Sequence, residues 1–396
     1  CNFLNDYSLL KNENDFIEET QKVVRESITS RLMSDVKVGS FLSGGLDSSI
    51  VATIASEYLN KIDTYTIGFP KIKDPYGGFN DESFEALATS KKIASNHHNI
   101  LIDEKTLKKK LDKFSYYYDQ PTGVSSALGI FLISEVAKKN RTKVLLSGDG
   151  ADECFGGYSW YKYLNKLKNK NRTIKTEITL HSVGIREEIK FKQIFNSNTK
   201  NIPYALHYYG SEMDKKKLFS QEIINQIKDS RRMFSNKKII SNPENIIKND
   251  RQFYLRNEML TKVDRMTMAN SVESRCPFVS PNVLNLAENI PFKLMYKNNN
   301  LKWVLRKAFE KELGKKIINR KKHGFNIPID HWLKNQWSDL VDQTFENNSS
   351  LVKNKIIKRD KLNEVRKMIN YSKKLNGHMI FSLIMLNKWM NQKIKN

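Results

Sequence analysis

The run Ser43-Gly44-Gly45-Leu46-Asp47-Ser48-Ser49 constrains this chain more than any other feature. It lies between residues 36–42, whose apolar character reads as a buried strand, and residues 50–59, which read as a helix. Two adjacent glycines let the backbone turn tightly and approach a ligand closely. The following helix aims unpaired N–H groups and the positive end of its dipole back at the turn. With serine hydroxyls added as donors, the turn becomes an anion nest suited to a pyrophosphate. Asp47 fits such a nest only if a cation stands between it and the phosphates. Mg2+ is held in this way, by one or two carboxylates together with substrate phosphates. No Gly-Lys-Ser/Thr follows, so the motif is not a Walker A loop.

The surrounding pattern alternates strand and helix. Residues 14–34 read as an amphipathic helix, with Phe16, Ile17, Val23, Val24, Ile28 and Leu32 at helical spacing. Residues 64–69, 98–102 and 144–147 read as strands, and residues 82–94 and 131–139 as helices. This alternation predicts an α/β fold, a parallel sheet with helices on both faces, followed by a mainly helical C-terminal region. Three parts are expected: an α/β core over residues 1–160, a variable Lys/Asn-rich insertion over 161–250, and a helical part over 251–396 that completes the site. Ligands in such sheets sit at the carboxyl ends of strands.

Composition excludes several classes. Lys and Arg total 67 against 43 Asp and Glu, a net charge of +24. The lysines are scattered among asparagines, as in Asn165–Asn171 and Lys297-Asn298-Asn299-Asn300, without a basic arm, so a nucleic-acid partner is not indicated. The three cysteines, Cys1, Cys154 and Cys276, form no C-x-x-C pair, which points away from zinc and from a disulfide framework. No apolar run reaches the ~18–20 residues of a membrane span. These features fit a cytoplasmic protein. The sequence starts without Met, which suggests a piece of a longer protein.

A second glycine-rich acidic run, Ser147-Gly148-Asp149-Gly150-Ala151-Asp152-Glu153, follows another expected strand and continues to Gly156-Gly157-Tyr158. Its Asp152 can share a metal with Asp47. Two further blocks are Lys262–Ser271 with Glu273, Arg275, Pro277 and Phe278, and Asn319-Arg320-Lys321-Lys322-His323-Gly324-Phe325. In order and separation the four blocks resemble the synthetase domain of the asparagine synthetase family, over roughly residues 16–335. That domain is a PP-loop, Rossmann-like ATP pyrophosphatase.

The resemblance implies a reaction in two steps. A side-chain carboxylate, that of aspartate, attacks the α-phosphorus of ATP and expels pyrophosphate; ammonia then displaces AMP to give asparagine. It assigns Lys322 to the phosphates and Asp149 to formation of the acyl-adenylate, where many members carry glutamate. Phe41, Ile67, Ser147 and Gly148 are the implied adenine and ribose contacts. Ser43, Gly44, Gly45, Asp47, Ser48 and Ser49 form the pyrophosphate site, and Asp47 and Asp152 hold Mg2+. Asp119-Gln120-Pro121 and Ser125-Ser126 resemble a segment near the acceptor. Glutamine-dependent members begin with a glutaminase domain whose terminal cysteine is the nucleophile. Cys1 is followed by Asn2-Phe3-Leu4 rather than Gly and is expected to be inert. Nitrogen is then expected as free ammonia or from a glutaminase domain or subunit, and a homodimer is compatible with the family. Alternatives are the same chemistry on a sugar acid of a surface polysaccharide or on a peptide, or an RNA-binding PP-loop enzyme. The acidic Asp149 argues against the β-lactam-forming branch, which uses tyrosine there.

Lys322→Met keeps side-chain length and removes charge. Loss of one preorganised electrostatic contact lowers adenylation by ~10²–10³, with a smaller effect on ATP affinity. Lys321→Met serves as control and is expected to be nearly silent. Equal adenylation rates in the two variants, measured as pyrophosphate release, would remove Lys322 from the mechanism.

Overall fold

The computed structural model describes residues 7, 9–69, 81–161, 215–216, 218–227, 243–320, 327–358, 360 and 377–394. Five parallel strands form the sheet: β1 (Val38–Phe41), β2 (Asp63–Gly68), β3 (Asn96–Leu101), β4 (Val144–Leu146) and β5 (Glu273–Arg275). Their order is β3-β2-β1-β4-β5. The chain leaves β1 toward β2 and β3, then returns to place β4 on the other side of β1. Val38, Gly39 and Ser40 pair with Val144, Leu145 and Leu146. The gap between β1 and β4 is therefore the switch point of the topology, where α/β sheets bind ligands.

Successive strand residues face opposite sides, so a two-faced sheet needs two apolar cores. Val38, Val144 and Leu146 join one core with Val23, Val24 and Ile28 of α1 (Glu13–Ser30) and Ile50, Val51 and Ile54 of α2 (Leu46–Tyr58). Tyr65, Ile67 and Leu145 join the other, with Leu107, Leu111 and Phe114 of α4 (Glu104–Tyr118) and Phe131 of α5 (Ala127–Lys139). Both cores reach far down the chain. The first takes in Trp303, Val304 and Phe309, and the second Trp332, Trp337 and Phe381. α1 starts where Asn12 and Asp15 close a capping box, which satisfies two otherwise orphaned N–H groups.

The expected strands and helices are present with shifted ends. α2 starts inside the motif at Leu46 rather than at residue 50, and α3 spans Ser83–Lys92. α4 is a further helix, its buried Leu107, Leu111, Phe114 and Tyr118 set among lysines that mask the apolar face. The C-terminal region is mainly helical but contributes β5, a three-residue edge strand of polar Glu273, Ser274 and Arg275 with no apolar alternation to announce it. Most of the Lys/Asn-rich stretch, residues 162–214 and 228–242, lies outside the described residues. Among the described residues no helix is long and apolar enough to cross a membrane.

α7 (Thr261–Met268) packs on α4 and α5. The Arg265 guanidinium donates to the Tyr118 carbonyl and lies over the Tyr118 ring, which fits a bracing role for this residue. Beyond α7, Asn270 is buried, and its amide donates to the Phe131 carbonyl at 3.0 Å and to Ser134 Oγ at 2.8 Å. Asn270→Ala removes a buried donor from both, leaving the Phe131 carbonyl with the Ser134 hydroxyl and Ser134 Oγ without its donor. The expected loss is ~1–3 kcal/mol of unfolding free energy, read as a lower denaturant midpoint with an unchanged m-value.

Candidate active site

The first motif turns sharply at the carboxyl end of β1. Gly45 is the N-cap of α2 and no side chain caps that helix start. The serines shape the turn. Ser48 Oγ accepts from the Ser43 N–H at 3.1 Å, Ser43 Oγ accepts from the Gly45 N–H at 3.1 Å, and the Ser49 hydroxyl donates to the Gly45 carbonyl at 2.7 Å. The start of α2 leaves backbone N–H groups without a side-chain cap, donors of the kind that favour an anion, while the hydroxyls of Ser48 and Ser49 bond within the turn.

The second motif follows β4 and packs directly on the first. A Cβ at Gly148 would lie 3.0 Å from Asp47 Cβ and 3.0 Å from the Ser48 nitrogen. Any side chain there would wedge the two turns apart. α6 (Ala151–Phe155) begins immediately afterwards and carries Asp152 and Glu153. Phe41 is the last residue of β1 and half-buried; Ile67 is buried in β2. Both lie toward the same sheet edge, with Ser147 and Gly148.

The carboxylates of Asp47 and Asp152, from the two loops, converge on one lysine. Lys302 Nζ is 2.5 Å from Asp47 Oδ2 and 2.6 Å from Asp152 Oδ1, with only 4% of its side chain exposed. Burial alone would depress this ammonium, but the charges of Asp152 and Asp47 outweigh that cost and hold it above its ordinary range. Lys302 precedes α8 (Trp303–Ala308) and has φ 55° and ψ 37°, a left-handed conformation uncommon outside glycine and asparagine. It follows Lys297-Asn298-Asn299-Asn300, a stretch indistinguishable by composition from the rest of a lysine-rich chain. Nothing local marks Lys302 as different.

Asp47 Oδ1 is buried and has no hydrogen-bond partner among the described residues. Two carboxylates from different loops converge beside a helix start that favours phosphate. Among the described residues no cluster of three or more His, Cys, Asp or Glu could hold a metal by itself. The donor set fits Mg2+ delivered with phosphates and does not fit a dedicated all-protein cage.

Asp149 stands beside this centre. Its Oδ2 accepts from the Ser147 hydroxyl, and Lys262 Nζ approaches Oδ1 at 3.5 Å. Lys262 lies on α7, is buried, and also contacts Met259 Sδ at 3.5 Å. It is thus a second charged group at the site that its motif alone did not single out. α7 follows a π-helical stretch, Asp250–Leu260; such irregular turns are frequent at functional sites. Lys322 lies outside the described residues, but its neighbour Arg320 donates to the Gly44 carbonyl at 3.0 Å and to Thr89 Oγ1 at 3.2 Å. The fourth block therefore begins against the first.

Other titratable and polar side chains lie elsewhere. His97 Nδ1 meets Thr64 Oγ1 at 2.9 Å and His98 stacks on Tyr65 at 4.6 Å, near the start of β3 and away from the loops. Cys154 and Cys276 are free thiols. Burial pushes Cys154 up to about 12, so it stays a neutral thiol, and its Sγ donates to the Phe278 carbonyl at 3.3 Å. Cys1 lies outside the described residues. Ser125 is buried, and Asp119 ends α4 at φ 58°.

Two loops at the switch point of a parallel sheet, with convergent carboxylates and an uncapped helix start, form the candidate site of an α/β ligand-binding fold. The asparagine synthase family profile matches residues 19–391, and the chain belongs to that family. It is 31% identical over 343 residues to glutamine-hydrolysing asparagine synthetase 1 of Bacillus subtilis, covering 83% of this chain and 52% of that protein. It is 26% identical to asparagine synthetase 3 of the same organism, covering 81% and 51%. It is also 24% identical to amidase chry2 of Gibberella zeae, covering 87% and 57%. The chain thus spans about half the length of these relatives.

Glu153 offers a pH test of the site's packing. Its side chain is buried, accepts from the Tyr158 hydroxyl at 2.5 Å, and is pushed up to about 8 by burial and then by the charge of Asp152. A carboxyl raised in the folded state contributes full stability below its unfolded value and loses it as pH rises through the folded one. The loss should run from the ordinary 4.5 to about 8. Glu153→Gln is neutral throughout, so its thermal midpoint should fall less with pH over that window than the parent's. Parallel curves for the two proteins would mean that Glu153 does not titrate there.

Proposed function

We propose that this chain performs the synthetase half of an asparagine synthase reaction: adenylation of the aspartate side-chain carboxylate with release of pyrophosphate, then amide formation by ammonia. The observation that carries this reading is the meeting of Asp47 and Asp152 beside the uncapped start of α2, in a chain of the asparagine synthase family. The N–H groups of that helix start bind the leaving pyrophosphate. Asp47 and Asp152 would hold Mg2+, which would supply positive charge toward the leaving pyrophosphate. Lys302, and Lys322 from the fourth block, add positive charge that the protein itself provides. Asp149, fixed by Ser147 and faced by Lys262, orients the acceptor at the α-phosphorus. Its shorter side chain, relative to glutamate, leaves about one methylene more room for the acceptor. Ammonia comes free or from a glutaminase unit.

The likeness to an amidase favours testing other acceptors in parallel. Incubation with ATP, Mg2+, ammonium and a panel of carboxylates should give AMP and pyrophosphate, with aspartate the preferred acceptor. Formation of ADP and phosphate would overturn the pyrophosphatase reading; another preferred acceptor would change the substrate and keep the chemistry. Asp152→Asn should lower pyrophosphate release by ~10² or more, since it removes charge at the developing leaving group.

A further inference from the structure

Lys302 needs a reason that its charge alone does not supply. A lysine serving only phosphates would best point at the nest, with its ammonium held for the anion. Here the ammonium is bound by both carboxylates of the candidate metal site, Asp47 Oδ2 at 2.5 Å and Asp152 Oδ1 at 2.6 Å. The fold accommodates this arrangement at two points. The Lys302 backbone adopts a left-handed conformation at the junction of the short β6–β7 ribbon (Tyr296–Lys297 and Asn300–Leu301) with α8. Gly157 lines the approach, where a Cβ would collide with both the Asp152 carboxylate and the Lys302 stem. No other side chain than glycine leaves room for the pair.

We infer that Lys302 is a built-in competitor for the divalent-cation site, one that excludes free metal and yields to metal arriving with a nucleotide. The inference rests on the ATP-and-metal reading above. Its physics is that of three charges and one shared position. Two carboxylates bonded to one buried ammonium carry a single net negative charge, a poor attractor for a hydrated Mg2+ that dehydrates reluctantly. Metal binding by itself would release Lys302 from both partners and leave an ammonium buried among cations, which is costly. A polyphosphate reverses the balance. It brings negative charge enough for the metal and for the displaced ammonium together, and Lys302, on a flexible four-carbon stem, can turn from carboxylate to phosphate. Metal and nucleotide then raise each other's affinity by one common factor, because coupling between binding sites is reciprocal.

The test measures metal binding without turnover. Mn2+ binding by electron paramagnetic resonance is compared for the parent, Lys302→Asn and Lys302→Gln, each with and without ATP. Asparagine tolerates the left-handed backbone, and glutamine keeps length without charge. The parent should bind Mn2+ weakly alone and about tenfold or more tightly with ATP, within the usual range of coupling between sites. Both variants should bind free Mn2+ about tenfold or more tightly than the parent, and should lose most of the gain from ATP. Their melting temperatures should rise with Mg2+ alone while the parent's barely moves, since a ligand of the folded state stabilises it. Variants that bind free Mn2+ no better than the parent would overturn the inference while leaving the ATP reading intact. A parent that binds no Mn2+ even with ATP would overturn both. Should neither variant fold, the parent still decides: tight nucleotide-free Mn2+ binding that Asp152→Asn abolishes would refute the competition.

Discussion

Val38, Gly39 and Ser40 lie in parallel register with Val144, Leu145 and Leu146, although more than a hundred residues separate them in the chain. This pairing sets two turns side by side at one sheet edge. Gly148 lets them touch, because its missing side chain would otherwise press on Asp47 and Ser48. The candidate site is the consequence: a helix start from one turn and carboxylates from both. Changing the strand order would separate every group that the chemistry needs.

Electrostatics then determines what the third participant must be. Asp47 and Asp152 converge on one ammonium while each stays about a fifth exposed, at 22% and 21%, and two like charges brought together favour a positive partner. Lys302 supplies it from 255 residues beyond Asp47, at the start of α8. Removing one member of such a buried group leaves an uncompensated charge, so the three residues behave as a unit. A lysine there presents a compact ammonium on a rotatable four-carbon stem, where arginine would present a planar guanidinium.

The C-terminal half acts as the frame of the site rather than as an appendage. α7 brings Lys262 to Asp149 while Asn270 and Arg265 anchor its surroundings to α5 and α4. Arg320 ties the fourth block to the first turn through the Gly44 carbonyl. β5 extends the sheet beside β4, where the Arg275 carbonyl accepts from the Ser147 N–H at 2.8 Å and so fixes the second turn. Each of these contacts couples residues near the active loops to segments far away in sequence, which is why the two cores run through both halves of the chain.

The sequence by itself determined the layered α/β class, the two glycine-rich acidic turns and the carboxylates Asp47, Asp149 and Asp152. Those features are local: a strand, a tight turn and a helix start are specified by neighbours within a few residues. Ser48 and Ser49 were legible as motif members; the bonds of their hydroxyls to the Gly45 carbonyl were not, since they depend on the backbone path of the turn. β5 was illegible because a three-residue edge strand carries no alternation. Lys302 was illegible because one lysine among 67 basic residues has no local signature. Its role exists only through the left-handed turn before α8 and the packing of that turn against Gly157. Charge at a distance is decided by tertiary structure, because the groups that give it meaning are brought near only when the whole sheet has closed.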